Sequence, residues 1–142
     1  MKKITHIWSC YLVLCLLFIG CSNTNMVQKE TAVIEKDLKS YFSCYEKSDF
    51  EGMKKFCTKG FVEAYFHNED VFGNSTAKLI NFEEIKYDET TKKYTVTVQI
   101  KCMPVNYSAL YNKDNPDEPV NTYMSFVLSV NNGNIVIEAF AD

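Results

Sequence analysis

The side chain best suited to acid–base chemistry is His67, because histidine exchanges a proton near neutral pH. His67 ends a short helical pattern and is followed by Glu69 and Asp70. Next to these carboxylates it could act as a general base in a pocket. It could also be a solvated residue at a helix C-terminus, where a cation is favourable against the helix dipole. The second situation is the more common one, and the spacing alone does not decide between them.

The composition argues against several other kinds of site. The 142 residues include 15 lysines, no arginine and 18 acidic residues, which gives a net charge of -3. A nucleic-acid surface needs a clustered basic face, so no nucleic-acid partner is expected. No zinc spacing or phosphate loop occurs, so neither a metal nor a cofactor is expected. A calcium ion could be bound by the carboxylates of Asp114, Asp117 and Glu118. Their spacing matches no calcium-binding loop, however, and favours a solvated loop.

The N-terminal segment has the pattern of an export signal. Two lysines precede an apolar run from Ile7 to Ile19, which suits a signal peptide and is short for crossing a bilayer. The run ends in Gly20 and Cys21 and is followed by polar residues. The sequence Phe18-Ile19-Gly20-Cys21 resembles the lipobox of bacterial lipoproteins, with Phe18 where leucine is usual.

The lipobox resemblance implies cleavage between Gly20 and Cys21 and a diacylglycerol on the Cys21 thiol. Residues 1–20 would then be the signal peptide, 21–28 a lipidated tether and 29–142 a single domain. The membrane would be a partner through this anchor, and the protein would lie on the extracytoplasmic face of the cell membrane. An uncleaved signal anchor, or secretion with an incidental Cys21, are the alternatives.

Three cysteines remain once the signal peptide and Cys21 are set aside: Cys44, Cys57 and Cys102. A disulfide between Cys44 and Cys57 could join two successive helices and leave Cys102 buried in a strand. Three free thiols are the alternative, and the odd number does not decide between them.

Helical periodicity predicts an amphipathic helix of about 18 residues after the tether. Ser48-Asp49-Phe50-Glu51 predicts a capping box at the start of a second helix, formed by Ser48 and Glu51, and Gly60 suits that helix's C-terminal cap. A short third helix is predicted from Phe61 to His67. The apolar positions of the first helix are Ile34, Leu38, Tyr41, Phe42 and Tyr45.

The periodicity changes to two after a predicted loop at residues 72–75, which indicates strands. The apolar parity changes between Phe82 and Ile85, as expected of a β-bulge that bends a sheet. Asn132-Gly133 predicts a hairpin turn. Helices segregated from antiparallel strands indicate an α+β fold. The four predicted strands are Lys78–Asp88, Tyr94–Cys102, Met124–Val130 and Ile135–Phe140, with a polar stretch at 106–121.

The run from Tyr41 to Cys57 resembles the opening of nuclear transport factor 2-like (cystatin-like cone) domains. In these domains an aromatic helix, a turn with an aspartate and a second helix precede a strongly bent sheet. The final segment, Asn132 to Glu138, also resembles the last strand of that superfamily, and the likeness covers nearly all of the chain behind the tether. Within that superfamily, the chain resembles the small lipoprotein domains of unknown function from low-GC Gram-positive bacteria. The resemblance implies N-terminal helices packed on a curved antiparallel sheet of about four strands.

This superfamily contains isomerases, dehydratases and non-enzymatic modules, so the resemblance does not decide the activity. Ketosteroid isomerase uses an aspartate base with a tyrosine and a protonated aspartate in an apolar pocket. The strand positions expected to point inward here include Tyr94 but no carboxylate. We therefore expect a non-enzymatic binding or interaction module, for a small apolar ligand, a cell-envelope component or a second copy of the chain. The alternative is a small isomerase or hydrolase that uses His67 and a tyrosine such as Tyr94 in a cone-shaped pocket.

Overall fold

Three helices and then four strands follow one another in the part of the chain that the structure describes. The computed structural model describes the backbone of residues 5–141 and the side chains of residues 25–141. The strands form one antiparallel sheet in the order β1-β2-β3-β4. The predicted α+β class, with helices followed by a curved antiparallel sheet of four strands, is confirmed. The elements are α1 (Thr5–Tyr45), α2 (Phe50–Lys54), α3 (Lys59–Tyr65), β1 (Asn74–Asp88), β2 (Lys93–Pro104), β3 (Val120–Asn131) and β4 (Asn134–Phe140).

Helix α1 is longer than the 18 residues that the periodicity predicted. It has 41 residues and includes the segment 21–28, which was expected to be a tether. Neither proline nor glycine occurs between Cys21 and Tyr45, so nothing in this stretch interrupts a helix. The side chains of the predicted signal peptide and of Cys21 lie outside the described residues. Within the part of the chain whose side chains are described, no helix is both long enough and apolar enough to cross a membrane.

The sheet is bent by interruptions of its strand pairing. The β1–β2 register shifts between Phe82 and Glu84, which confirms the predicted bulge, and shifts again at two places nearer the start of β1. A further shift between Val127 and Leu128 interrupts the β3–β4 pairing. Each shift adds local twist and lets the long strands curve around α1. The Asn132-Gly133 hairpin is also confirmed, with both residues at positive φ.

The space between α1 and the sheet is occupied by packed side chains. Tyr41, Phe42 and Tyr45 of α1 are buried, and the rings of Tyr41 and Phe42 lie 5.9 Å and 6.2 Å from that of Phe126 in β3. Burial on this scale contributes about 1.5–3 kcal/mol for each large apolar side chain. The strand residues buried in the same core are Ala77, Tyr94, Val96, Val98, Ile100, Cys102, Met124, Phe126, Leu128, Ile135 and Ile137.

The start of α2 differs by one residue from the predicted capping box. Asp49, not Ser48, is the N-cap, and its Oδ1 accepts a 2.9 Å hydrogen bond from the Gly52 N–H. Ser48 has a φ of 54°, which places it outside the helix. Glu51 pairs with Lys54 at 2.5 Å instead of reaching back to the cap. The prediction was wrong because serine and aspartate are both good N-caps, and local sequence does not choose between neighbours.

The end of α2 and the bounds of α3 also differ from the predictions. Gly60 is not a C-cap, because it lies in the first turn of α3. Thr58 is the N-cap of α3, with its Oγ1 accepting a hydrogen bond of 3.2 Å from the Phe61 N–H. The helix ends at Tyr65, so His67 follows α3 instead of ending it. The predicted end of the helix is therefore two residues too late, while His67 itself is exposed just beyond the helix C-terminus.

Candidate functional site

Two loops meet at the end of the sheet where β1 begins and β2 ends. The Val105 N–H, just after β2, donates a 2.8 Å hydrogen bond to the Gly73 carbonyl, just before β1. Gly73 has a φ of 73°, and a Cβ there would lie 3.1 Å from the Cβ of Ser108. Glycine is therefore favoured at this position for two reasons: it adopts a positive φ without strain, and it leaves room for the close approach of the second loop. This contact brings the loop after α3 against the polar stretch that follows β2.

The two loops enclose a depression of about 400 Å³ that is open to solvent. Its lining combines an imidazole, an amide, two carboxylates and a phenol. Acid–base chemistry usually needs a site that excludes water, and this depression does not. Its form suits contact with a partner's surface better than enclosure of a small substrate. The lining residues are His67, Asn68, Glu69, Asp70 and Tyr107.

The carboxylate of Asp70 organises the depression. Asp70 is only 3% exposed, and its Oδ1 accepts a hydrogen bond of 3.2 Å from the Gly73 N–H. Its Oδ2 accepts a short hydrogen bond from the hydroxyl of Tyr107. This bond to the Asp70 carboxylate is the main reason why the pKa of Tyr107 rises to about 12, with burial and the charges of Asp70 and Glu69 adding to it. The Tyr107 hydroxyl therefore stays protonated at neutral pH and acts as a donor.

His67 lies at the rim of this depression. Its side chain is exposed, and its backbone N–H donates a 3.1 Å hydrogen bond to the Asp70 carbonyl. The structure thus places His67 in the same depression as Glu69 and Asp70, as their spacing suggested. These side chains lie outside the helix–sheet interior, which is where the alternative hypothesis of a small isomerase or hydrolase would need its cone-shaped pocket.

Tyr94 lies at the opposite end of the sheet. It is the second residue of β2 and is buried against Tyr87, with ring centroids 4.8 Å apart. Burial and the hydrogen bond from its hydroxyl to Glu30 both raise the pKa of Tyr94. About ten residues of extended strand, roughly 30 Å, separate it from the end of β2 near His67. The structure therefore does not bring His67 and Tyr94 together.

Cys44, Cys57 and Cys102, the cysteines whose side chains the structure describes, are free thiols, so the Cys44–Cys57 disulfide is not formed there. The Cys57 thiol donates to the Met53 carbonyl across 3.5 Å, and burial raises its pKa to about 12. The pKa of Cys44 is also raised, first by burial and then by the neighbouring Asp49. These shifts keep both sulfurs protonated near neutral pH, which makes them poor nucleophiles.

Two more depressions open on the surface. One of about 460 Å³ lies in the acidic loop at Asp114–Glu118. The other, of about 450 Å³, runs between α1 and the edge strand β1, where Lys39 lies 5.8 Å over the Phe82 ring. Among the residues with described side chains, no group of three His, Cys, Asp or Glu converges on one point as metal ligands would.

The sequence did not indicate Tyr107 as part of a site. It lies in the polar stretch after β2, which has no periodicity, and its partner Asp70 is 37 positions earlier. Asp70 and Tyr107 come together only because the two loops contact each other in the folded chain.

No protein-family model and no curated protein matches the chain. Among solved structures, the chain is similar to an NTF2-like protein from Anabaena variabilis, with 8% identity, a TM-score of 0.48, and coverage of 80% of this chain and 90% of that one. It is also similar to a protein from Xanthomonas campestris described as a candidate polyketide cyclase. There the identity is 7% and the TM-score 0.41, with 79% of this chain and 90% of that one covered. Likeness at this level carries no information about activity.

Proposed function

We propose that the chain is a bacterial lipoprotein, anchored through Cys21, whose nuclear transport factor 2-like domain is a non-enzymatic binding or interaction module. The anchor is supported by the apolar run that ends in Gly20 and Cys21. The domain type is supported by the segment from Tyr41 to Cys57, whose sequence resembles the opening of nuclear transport factor 2-like domains. The order of elements, with helices that precede a bent sheet, also supports it. The protein then lies on the extracytoplasmic face of the cell membrane.

The separation of His67 from Tyr94 carries the non-enzymatic part of the proposal. A small isomerase or hydrolase of the kind considered above needs both side chains in one pocket that excludes water. His67 instead faces solvent beyond the end of α3, while Tyr94 is bonded to Glu30 near the other end of the sheet. Packed aliphatic and aromatic side chains of the core occupy the interior between α1 and the sheet. Binding then takes place on the outer surface of the domain.

The partner of such a surface is a cell-envelope component, a small apolar ligand or a second copy of the chain. The depression around Asp70 and Tyr107 offers carboxylate oxygens, an imidazole and a phenol to a polar partner. An apolar ligand or a second copy would need apolar contacts elsewhere, such as Ile80 and Tyr123, which are exposed on the strands.

The anchor is tested by Cys21→Ser in the full-length chain expressed in a Gram-positive host. Thioether formation needs sulfur, and the lipoprotein peptidase acts on the lipidated precursor. The wild type should incorporate labelled palmitate, partition into the detergent phase of a Triton X-114 extraction and begin at Cys21. Cys21→Ser should lose the label and keep the longer precursor mass.

Cys15→Ser is the matched control, because it removes a thiol from the same apolar run without touching the lipobox. It should be labelled and cleaved like the wild type. Persistent labelling of Cys21→Ser, or a mature N-terminus other than Cys21, would overturn the anchor and the localisation.

Partner binding is tested by native mass spectrometry of the protein extracted from its own host. We expect a mass above that of the acylated monomer, from a bound envelope component, a small ligand or a second chain. Asp70→Asn should release a partner held at the depression, and Tyr123→Phe should leave that partner bound. A bare monomer under gentle extraction would contradict the binding module.

A further inference from the structure

We propose that α1 holds the domain upright on the membrane, with one end of the sheet facing the lipid and the Asp70–Tyr107 depression facing away from it. This inference rests on the proposed lipid attachment at Cys21. The near pole is defined here as the two turns at residues 88–93 and 131–134, and the distal pole as the loops at 66–73 and 105–119. The expected partner of the near pole is a lipid surface.

The first reason is that anchor and domain share one helix. Cys21 and Tyr45 both belong to α1, with no break between them. At a rise of 1.5 Å per residue, Cys21 lies about 14 Å from Glu30, where α1 first bonds the sheet, and about 36 Å from Tyr45. A helix of this length transmits direction, whereas a flexible tether would let the domain tumble.

The second reason is that α1 is bonded to the sheet at both ends of the domain. Near the anchor, the Tyr94 hydroxyl donates to Glu30 at 2.6 Å. About two turns further on, the buried carboxylate of Asp37 accepts a hydrogen bond of 3.1 Å from the Ile135 N–H. Hydrogen bonds at separate heights prevent the helix from pivoting against the sheet.

The far end of α1 is bonded as well. The hydroxyl of Tyr45 donates to the Val71 carbonyl at 2.5 Å and lies 3.2 Å from that of Asn74. Val71 directly follows Asp70, so this contact joins the C-terminal end of α1 to the depression. The domain and its helix therefore move as one body, and the depression lies at the end of α1 opposite Cys21.

The third reason is the distribution of charge. The distal pole has five carboxylates, from Glu69, Asp70, Asp114, Asp117 and Glu118, against the single lysine Lys113. The turn at 88–93 is balanced, with two acidic residues and two lysines. Anionic lipids repel an acidic surface within about one Debye length, roughly 10 Å, so the charge favours the same orientation as the helix.

The orientation is tested by energy transfer with the full-length lipidated protein in vesicles of phosphatidylglycerol and phosphatidylcholine. Two variants are made, one with azidophenylalanine in place of Thr90 at the near pole and one with it in place of Asn115 at the distal pole. The same donor dye is attached to the azide of each variant. Both positions are exposed, and this labelling leaves the native thiols untouched. The vesicles contain a lipid with an acceptor on its headgroup. Transfer from position 90 should exceed transfer from position 115 by about twofold or more, given a helix of roughly 36 Å between Cys21 and Tyr45.

A variant with residues 22–27 replaced by alternating glycine and serine is the matched control. It keeps Cys21 but removes the helical connection, so the difference in transfer between the two positions should shrink to the part that charge alone produces. Equal or reversed transfer in the wild-type chain, with the protein bound to vesicles, would overturn the orientation and leave the anchor standing. Absence of palmitate labelling and of vesicle binding would overturn the proposed anchor as well, so the two failures are distinguishable.

Discussion

The hydroxyl of Tyr94 in β2 donates a 2.6 Å hydrogen bond to Glu30 Oε2 in α1, across 64 positions of the chain. The ring of Tyr94 is buried in the core, while Glu30 lies two residues beyond the segment expected to be a tether. The bond therefore joins the beginning of the domain to the end of the sheet where β2 begins. Tyr94 is also the tyrosine named in the alternative enzyme hypothesis, and its hydroxyl is already bonded to Glu30.

Tyr94→Phe should destabilise the domain by about 1–2 kcal/mol, because it removes a bond to a carboxylate and keeps the buried ring. Urea unfolding of residues 22–142, followed by circular dichroism, measures the change. Tyr123→Phe is the matched control, since Tyr123 is 62% exposed and its replacement should leave the midpoint unchanged. Equal midpoints for Tyr94→Phe and the wild type would show that the bond adds no stability.

Two glycines should respond in opposite directions to alanine. A Cβ at Gly52 would lie 2.3 Å from Asp49 Oδ2 and 2.7 Å from Cys44 Sγ, so the N-cap of α2 must move. Gly52→Ala should therefore cost roughly 1–3 kcal/mol. A Cβ at Gly60 meets nothing within 4 Å, so Gly60→Ala in α3 should stabilise the domain by about 0.4–1 kcal/mol. Thermal unfolding compares the two, and a stable Gly52→Ala variant would contradict the described cap.

Thiol titration of residues 22–142 decides the state of the cysteines. Without reductant and under denaturing conditions, Cys44, Cys57 and Cys102 should all react, because all three are free. In the folded domain at pH 8 they should react slowly, since burial raises the pKa of Cys57 to about 12 and also raises that of Cys102. Only one reactive thiol after denaturation would instead show that two of the three cysteines are joined, as in the Cys44–Cys57 disulfide that the sequence allows.

The Tyr107 phenol should ionise later than an ordinary tyrosine. Its pKa is raised to about 12, chiefly by the bond to Asp70. The protonated phenol is the bonded form, so this bond stabilises the fold fully below about pH 10, the ordinary tyrosine pKa, and is lost as the pH rises through 12. Carbon-13 NMR of labelled tyrosines measures the titration, with Tyr107→Phe to assign the signal.

Asp70→Asn is the companion variant for this titration. It replaces the carboxylate by a neutral amide of the same shape, so the pKa of Tyr107 should fall towards its ordinary value of about 10. A wild-type Tyr107 that titrates near that value would show that the bond to Asp70 does not form in solution.

The features that the sequence determined are those with a local cause. Alternating side chains produce β2 wherever one face of the strand is buried, and a change of parity between Phe82 and Ile85 requires an extra residue in the pairing. Asn132 and Gly133 tolerate the positive φ of the tight hairpin. Each of these needs only neighbouring residues, so the α+β class and the order of its elements could be predicted.

Tertiary contacts decided the candidate site, because the bond between Asp70 and Tyr107 joins residues that are 37 positions apart in the sequence. His67 and Tyr94 could be named from their chemistry, but the direction of β2 places them at opposite ends of the sheet. Tyr107 meets Asp70 only because the Gly73 turn lets two loops approach within van der Waals distance. Glu30 likewise gains its partner only once β2 has packed on α1. Side-chain type is a local property of the chain, whereas proximity depends on how the sheet and its loops pack together.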